Sequence, residues 1–476
     1  MILKPRTLID KLWEAHAVAD LGDGVSLLHI DRIFLHERSG AVALRSLKAA
    51  GRTVCRPALA FATIDHIVDT ETGRGDSTKF SGGSEFIRAM RNGAGDFGIT
   101  FFDINDARQG ITHVVAAEQG IALPGATMVC GDSHTCTLGG LGALAWGVGS
   151  SGIEQALATQ TVEERRPQSM RIRCDGRLTA DVFAKDLVLS LIGQFGASGG
   201  AGFAIEFAGS AVRALPIEAR MTLCNMAVEF AGFTGIVAPD DQTIQYVQGR
   251  PYAPQGALWE QAIKYWHGLA SDDDALFDRD LVVNVSSLAP QVTWGTSPQH
   301  VVSTDGAVPD PGSAANGLTD PAQRLSMEAA LRYMDLTPGT RMGSIPIDAA
   351  FIGSCTNARL SDLREAAAVL RGRKVAPGVT ALCVPGSTEV KRAAENEGLD
   401  RVFKDAGFEW RESGCSLCFY VGGDNFGGAR RVISTTNRNF EGRQGPGVRS
   451  HLASPATVAA SATLGRIGSV RDLNTP

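Results

Sequence analysis

The sequence lacks several features that would indicate particular classes of protein. No lysine- and arginine-rich run appears, and the formal net charge is −6. Both observations argue against a general nucleic-acid-binding surface. The N-terminal residues Met-Ile-Leu-Lys-Pro-Arg lack the apolar core of a signal peptide. The uncharged run from Thr135 to Ile153 is too rich in glycine and serine for a convincing membrane span. We therefore expect a cytoplasmic protein that binds neither nucleic acid nor membranes.

The glycine-rich stretches also lack a phosphate-binding signature. None of them matches a Walker loop, or a dinucleotide fingerprint followed by a suitable acidic residue. The nine cysteines are odd in number and have no framework spacing, which suits a reducing compartment rather than a disulfide scaffold. At 476 residues the chain is long enough for two or three domains.

Short apolar runs alternate with helical stretches along the chain. Strands are predicted at 126–129, 347–352 and 379–384, each followed by a polar loop, and a helix capped by Ser361 is predicted over 361–370. This alternation predicts an α/β fold with functional loops at the carboxyl ends of parallel strands. The segment 301–322 is rich in Pro, Gly, Asp and Ser and is predicted to be linker-like. It separates residues 1–300, which are predicted to hold two α/β lobes, from a third part at 323–476.

Three cysteines near the C-terminal end carry the most chemical information. Cys355 lies in Gly-Ser-Cys-Thr-Asn, and Cys415 and Cys418 lie in Gly-Cys-Ser-Leu-Cys. Three thiolates can hold a [4Fe–4S] cluster and leave one iron without a protein ligand, so that this iron can act as a Lewis acid. A redox pair or half of a zinc site is the alternative reading, although no second Cys-x-x-Cys completes a four-thiolate site. The other six cysteines are predicted to be mostly core residues.

Polar residues elsewhere add a binding and proton-transfer interpretation. Arg438 and Arg443 lie in the short segment Asn437–Arg443, and their paired guanidinium groups suit a small polycarboxylate. In the N-terminal part the candidates are residues that can form carboxylate–imidazole pairs, namely Asp65, His66, His113, Asp132, His134 and Glu229. A carboxylate can orient a histidine and keep it protonated, which produces a general acid. Taken singly, each histidine is also consistent with a structural role, and Glu229 with a helix surface.

In series these motifs resemble the aconitase superfamily. The resemblance is carried by Asp65-His66, His113, Gly131-Asp-Ser-His-Thr135, Thr222-Leu-Cys-Asn-Met226, Ile352-Gly-Ser-Cys-Thr-Asn357, Gly414-Cys-Ser-Leu-Cys418 and Asn437-Arg-Asn-Phe-Glu-Gly-Arg443. It covers nearly the whole chain and is greatest with the large subunits of bacterial 3-isopropylmalate dehydratases.

The resemblance implies three aconitase-like α/β lobes around one [4Fe–4S] cluster per chain, held by Cys355, Cys415 and Cys418. It implies that the histidines and carboxylates orient water and protonate a departing hydroxyl, and that Asn437, Arg438 and Arg443 hold substrate carboxylates. The implied reaction is the isomerisation of 2-isopropylmalate and 3-isopropylmalate through 2-isopropylmaleate, in leucine biosynthesis. By the same resemblance, we expect the swivelling domain of single-chain aconitases not to be part of this chain. A separate small subunit is therefore expected to supply the catalytic base and a substrate-binding arginine, and the chain alone is expected to be inactive.

Some positions depart from the family pattern. They are His29, Leu138 and the stretch from Phe419 to Phe426. These departures leave open a paralogous hydratase that acts on a smaller cis-diacid, namely maleate, citraconate or dimethylmaleate. Two further alternatives are an RNA-binding protein that has lost its cluster, which the acidic balance disfavours, and a purely structural zinc protein.

Overall fold

The structure is a computed structural model that describes residues 4–313, 320–420 and 424–474. Contacts divide the chain into two compact units. The first consists of the chain up to Val68, Arg74–Arg177 and Gly200–Val285, and the second of Asp69–Gly73, Leu178–Gly199 and the chain from Ser286 onward. Each unit is therefore built from several separate stretches of sequence.

Helices occur throughout the described residues. In chain order they are α1 (Leu8–His16), α2 (Glu37–Ala49), α3 (Gly83–Phe97), α4 (Thr112–Glu118), α5 (Ser150–Thr159), α6 (Ala184–Phe195), α7 (Ser210–Ala214), α8 (Ile217–Asn225), α9 (Asp241–Val247), α10 (Ala257–His267), α11 (Pro321–Met334), α12 (Leu360–Leu370), α13 (Thr388–Asn396), α14 (Leu399–Ala406) and α15 (Pro455–Leu464). Among these helices, none combines the length and the apolar character that a bilayer crossing requires.

The first unit contains two parallel sheets and a small antiparallel sheet. The antiparallel sheet consists of β1 (Ala17–Gly22), β2 (Val25–His29) and β8 (Thr161–Arg165). The first parallel sheet has the order β5-β4-β3-β6-β7, with strands β3 (Arg32–His36), β4 (Ala60–Thr63), β5 (Thr100–Phe102), β6 (Thr127–Cys130) and β7 (Leu144–Gly147). The second has the order β11-β10-β9-β12, with strands β9 (Gln168–Asp175), β10 (Phe203–Ala208), β11 (Thr234–Ile236) and β12 (Arg279–Asn284).

The second unit contains a third parallel sheet and an antiparallel pair. The pair consists of β13 (Gln291–Thr293) and β14 (Val301–Ser303). The third parallel sheet has the order β17-β16-β15-β18-β19, with strands β15 (Ala349–Ile352), β16 (Thr380–Cys383), β17 (Phe408–Trp410), β18 (Arg431–Ser434) and β19 (Arg449–Leu452). The α/β class predicted from the sequence is thus confirmed.

The central strands are buried on both faces, as their sequences indicate. Ile33, Phe34 and Leu35 on β3 are at most 1% exposed. The ring of Phe34 lies 6.2 Å from that of Phe61 on β4 and 6.3 Å from that of Phe102 on β5. A strand covered on both faces reads as a continuous apolar run, which is why the short runs could be recognised.

The predicted elements agree with the structure apart from their ends. The strands predicted at 126–129, 347–352 and 379–384 are Thr127–Cys130, Ala349–Ile352 and Thr380–Cys383. The predicted Ser361 cap is wrong, because the helix begins at Leu360 with Arg359 as its N-cap. The backbone N–H of Arg359 donates to the Asp362 carboxylate at 2.9 Å, so an acidic residue inside the first turn stabilises this end.

The predicted division into 1–300, 301–322 and 323–476 stays a prediction. Within the linker-like segment, Val301–Ser303 forms strand β14, and helix α11 begins at Pro321 after its Asp320 cap. Residues 314–319 of that segment lie outside the described ranges.

Candidate functional site

The predicted site residues fall into two sets, one in each unit. The first set lies at the carboxyl edge of the first parallel sheet. Strand β3 is the point at which the strand order reverses, with β4 on one side and β6 on the other. Asp65 and His66 follow β4, and Asp132 follows β6. The carboxyl ends of strands at such a reversal form the usual ligand crevice of open α/β sheets.

Asp65, His66 and Asp132 form a linked carboxylate–imidazole–carboxylate group. His66 Nδ1 lies 2.5 Å from Asp65 Oδ1, and His66 Nε2 lies 3.1 Å from Asp132 Oδ2. The other oxygen of Asp65 accepts hydrogen bonds from the backbone N–H and the hydroxyl of Thr112, both at 3.0 Å. Both ring nitrogens of His66 therefore face carboxylates whose own positions are fixed.

The remaining three predicted residues join the same group. His113 Nε2 lies 3.3 Å from Asp132 Oδ1, and His134 Nδ1 lies 3.4 Å from the same oxygen. His134 Nε2 is hydrogen-bonded to Glu229 Oε1 at 2.9 Å. We call these six residues the histidine–carboxylate cluster: Asp65, His66, His113, Asp132, His134 and Glu229. The structure brings all six together.

The imidazole of His66 and the carboxylate of Asp132 in this cluster have pKa values that are shifted in opposite directions. Burial on its own would lower the pKa of His66, but Asp65 and Asp132 outweigh it and raise that pKa well above 6.5. Burial would raise the pKa of Asp132, but its contacts with His113, His134 and His66 lower that pKa well below 3.8. The two carboxylates on either side of His66 therefore favour its imidazolium form.

Two residues that the sequence reasoning missed support the cluster. Glu37 is fully buried, and its carboxylate accepts the backbone N–H groups of Asp65 at 3.1 Å, His66 at 2.8 Å and Ile67. The ring of His36 stacks on that of His66 at 4.2 Å. Burial, followed by the charge on His66, lowers the pKa of His36 to about 4 and keeps it neutral. The sequence did contain a signal for both residues, since His36 is the last residue of the apolar strand β3 and Glu37 directly follows it.

The ligand atoms of His36, Glu37, Asp65 and His66 lie within 4.8 Å of one another, a spacing that a metal ion could bridge. Their oxygens are already engaged, however. Both oxygens of Glu37 accept backbone N–H groups, and those of Asp65 accept from His66 and Thr112. A hydrogen-bonded scaffold accounts for this group without an ion.

The second set is positioned by the third parallel sheet. Its order repeats that of the first sheet, with β15 at the reversal between β16 and β18. Cys355 follows β15, and Asn437 follows β18. Ser354, just before Cys355, has a φ of 79°. A non-glycine residue in this left-handed region is uncommon and is found preferentially at functional sites.

The three predicted cysteines are buried and take part in no disulfide. Their exposed fractions are 3% for Cys355, 5% for Cys415 and 6% for Cys418. A single turn of 3-10 helix, Ser416–Cys418, carries the Cys-x-x-Cys pair, and the backbone N–H of Cys418 donates to Cys415 O at 3.0 Å. We call these three residues the cysteine site.

Hydrogen-bond donors face two sulfur atoms of the cysteine site, those of Cys355 and Cys418. Ser354 Oγ lies 3.3 Å from Cys418 Sγ, and Asn437 Nδ2 lies 3.5 Å from Cys355 Sγ. Arg443 reaches Cys418 Sγ from one guanidinium nitrogen at 3.9 Å. Sequence reasoning missed this role for all three donors, because they meet the sulfur atoms only when separate loops come together.

Arg443 is held between two aromatic rings. Its guanidinium carbon lies 4.6 Å from the centre of the Phe419 ring and 5.3 Å from that of Phe440. Its Nε is buried without a hydrogen-bond partner among the described residues. Arg438 is half-buried and lies next to Asn437 in the chain. The second set therefore combines thiols with donors that suit an anionic group.

The donor set fits an iron–sulfur cluster. Thiolates are the ligands that such clusters require, and N–H and O–H donors to sulfur are the usual means by which a protein stabilises them. Three buried thiols with three neighbouring donors supply both requirements, and Arg443 adds a buried nitrogen that has no partner among the described residues.

The other cysteines have a packing role, with one exception. Cys130, Cys136, Cys174, Cys224 and Cys383 are buried, whereas Cys55 is exposed. Burial raises the pKa of the Cys136 thiol well above 9.0, and its sulfur contacts the backbone carbonyls of Ser133 and Asn225. The prediction that most of the six are core residues is confirmed.

The departures from the family pattern lie in different surroundings. His29 is on β2, with Nδ1 3.6 Å from Asp31 Oδ1. Leu138 is fully buried in the 3-10 helix Ser133–Leu141. Phe419 packs on Arg443, and Phe426 packs edge-on against Phe351 at 6.5 Å. Residues 421–423 of the last stretch lie outside the described residues.

Comparisons with known proteins agree with these observations. The sequence model of the aconitase family (aconitate hydratase) matches residues 10–465. The chain is 53% identical over 468 residues to 3-isopropylmalate dehydratase large subunit 1 of Bradyrhizobium diazoefficiens, covering 98% of this chain and 97% of that protein. Among solved structures, the holo-form of Thermococcus kodakaraensis aconitase X matches 90% of this chain and 89% of its own, at 14% identity and a TM-score of 0.45. That last likeness is too low to add to the assignment. Because the family match spans almost the whole sequence and the relative shares more than half of its residues, the chain belongs to the aconitase family.

Proposed function

We propose that this chain is the large subunit of a hydro-lyase that interconverts 2-isopropylmalate and 3-isopropylmalate through 2-isopropylmaleate, in leucine biosynthesis. The relative from Bradyrhizobium diazoefficiens is named for this dehydratase and aligns with 98% of the chain. The structural observation that carries the proposal is the cysteine site, in which three cysteines are buried, Ser354 and Arg443 face the sulfur of Cys418, and Asn437 faces that of Cys355.

The cysteine site would hold one [4Fe–4S] cluster per chain through Cys355, Cys415 and Cys418. When bound, the cluster would supply a Lewis-acid iron that has no protein ligand and can bind hydroxyl and carboxylate oxygens of a substrate. The protein's own contribution in this unit is binding and orientation. Asn437, Arg438 and Arg443 would hold carboxylates, and the aromatic rings around Arg443 restrict its rotation.

The histidine–carboxylate cluster would handle protons in the same reaction. A hydroxyl leaves as water only if it receives a proton, and a histidine kept protonated at neutral pH can hold one in reserve. Asp65 and Asp132 keep His66 in that state. The buried pair of His134 and Glu229 offers a second imidazole whose orientation is fixed by a carboxylate.

We further propose that a separate small subunit completes the enzyme. The relative's printed name makes that protein a large subunit. The partner would supply the base that removes the proton from the neighbouring carbon, together with an arginine for the substrate. The large chain alone should then show no turnover, and turnover by the purified large chain would contradict this assignment.

An anaerobic hydration assay tests the proposed function. The chain, co-purified with its small subunit, is given 2-isopropylmaleate, citraconate or maleate, and the loss of alkene absorbance is followed. Preference for 2-isopropylmaleate with formation of both isopropylmalates supports the proposal. A preference for one of the smaller diacids would overturn the substrate assignment while leaving the reaction class intact.

A further inference from the structure

Asp424 is a buried carboxylate in the second unit to which the proposed reaction gives no role. It is 7% exposed, and its Oδ2 accepts hydrogen bonds from Ser416 Oγ and Thr70 Oγ1, both at 2.6 Å. Ser416 lies between the two cysteines of the Cys-x-x-Cys turn. One carboxylate oxygen thus ties that turn to the segment Asp69–Gly73, which belongs to the same unit.

The turn that Asp424 holds has a strained backbone. Ser416 has a φ of 48°, in the left-handed region that side chains with a Cβ disfavour. Such a conformation persists only where its surroundings determine it. The short hydrogen bond from Ser416 to a carboxylate is of the strong, charge-assisted kind and provides this constraint.

Thr70, the second residue that donates to Asp424, is held in place by further contacts. The carbonyl oxygen of Thr70 accepts the backbone N–H of Glu412 at 2.8 Å. The neighbouring Glu71 carboxylate lies 3.5 Å from a guanidinium nitrogen of Arg411. Thr70 therefore has a fixed position against the chain that follows strand β17. Because Asp424 is hydrogen-bonded to both Thr70 and Ser416, it fixes the cysteine turn relative to that position.

We propose that Asp424 is a positioning residue for the iron–sulfur site. It acts through Ser416, by holding the turn from Cys415 to Cys418 in the conformation in which both thiolates can bind the cluster, with Thr70 as the anchor. This inference rests on the proposed function, since it assumes that the cysteine site holds a cluster. It adds the requirement that a carboxylate which is not itself a cluster ligand sets how firmly the cluster is retained.

The test compares cluster retention in matched variants of the full-length chain. Wild type, Asp424→Asn, Ser416→Ala, Ser416→Gly and Thr70→Val are reconstituted anaerobically with ferrous iron and sulfide. Iron and sulfide per chain are determined, and the decay of cluster absorbance is followed after addition of a chelator. The control is Asp335→Asn, which makes the same chemical change in the same unit at a side chain that is 75% exposed.

We expect Asp424→Asn and Ser416→Ala to lose the cluster about tenfold faster than wild type, because the first removes the charge that strengthens the hydrogen bond and the second removes its donor. Thr70→Val should have a smaller effect in the same direction. Ser416→Gly should decay more slowly than Ser416→Ala, because glycine adopts a positive φ without strain. Asp335→Asn should behave as wild type.

Two results would overturn the inference alone. One is a wild-type decay rate in a folded Asp424→Asn protein, and the other is equal decay of Ser416→Ala and Ser416→Gly. If Asp424→Asn does not fold, as judged by circular dichroism, the two Ser416 variants decide the matter. A wild-type chain that binds no cluster would overturn the proposed function and this inference together.

Discussion

Replacing Glu37 by glutamine tests whether this buried carboxylate organises the Asp65–His66 turn. Both oxygens of Glu37 are in use: Oε1 accepts the N–H groups of His66 and Ile67, and Oε2 accepts that of Asp65. Glutamine keeps one oxygen and puts an NH₂ group in place of the other. At least one buried backbone N–H then faces a donor instead of an acceptor.

The expected free-energy cost follows from the number of buried backbone N–H groups that lose their acceptor. A buried donor left without its acceptor costs about 1–3 kcal/mol. If the cost falls on the local opening of this turn, the backbone amides of Asp65, His66 and Ile67 should exchange with solvent about 5- to 150-fold faster. The catalytic rate should fall as well, because His66 loses its fixed orientation although Glu37 makes no proposed contact with substrate.

Hydrogen exchange followed by mass spectrometry on peptides spanning residues 60–72 measures this effect. The matched control is Glu14→Gln, the same chemical change at a side chain that is 48% exposed and paired with Arg6 on the surface. Exposed pairs of this kind contribute little, so the control should leave exchange of the turn unchanged. Less than about a twofold change in Glu37→Gln would refute the reasoning.

Three further predictions concern the cysteine site, the clamped arginine and the response to acid. Cys355→Ser should bind no complete cluster on reconstitution because one ligand is lost, whereas Cys55→Ser, at an exposed cysteine, should match wild type in iron and sulfide content. Phe419→Leu removes the aromatic ring that lies nearer to the Arg443 guanidinium. In steady-state kinetics it should raise the KM for 2-isopropylmaleate about 2- to 30-fold, with a smaller change in kcat. An unchanged KM would contradict the role of Phe419 in orienting Arg443. Burial, and then a neighbouring guanidinium, lowers the pKa of His451 to about 3. Its contribution to stability is therefore complete above about pH 6.5 and is lost as the pH falls toward the folded-state pKa, so His451→Gln should reduce the drop in unfolding temperature between about pH 7 and about pH 5. An equal drop in wild type and His451→Gln would show that this histidine does not titrate on unfolding.

The parts of the site that were predictable are those whose chemistry resides in residue type and short spacing. Cys415 and Cys418 lie on one turn, so their partnership could be read directly from Gly-Cys-Ser-Leu-Cys. The strands were recognisable because the central strands of parallel sheets are continuously apolar. The polar residues that follow those strands then had to share an edge, and His66 does meet Asp132 there.

The supporting residues could not be predicted in the same way. The hydrogen bond between Thr70 and Asp424 joins positions 354 residues apart, and no local pattern encodes such a contact. Ser361 resembled a helix cap, but Asp362 supplies the acceptor from inside the first turn. In both cases several acceptors are available to one donor, and which acceptor it uses is decided only by the folded structure.

The interrupted course of the chain also bears on its synthesis. The chain leaves the first unit after Val68, Arg177 and Val285, and it returns to that unit at Arg74 and Gly200. The first unit therefore cannot be finished until residue 285 has left the ribosome, and the early segments Asp69–Gly73 and Leu178–Gly199 must wait for partners made much later. Contacts between such distant segments slow folding and leave partly formed surfaces exposed for longer. For the same reason, no single cleavage of the polypeptide yields one intact unit, so either unit expressed as a fragment of continuous sequence would lack part of itself.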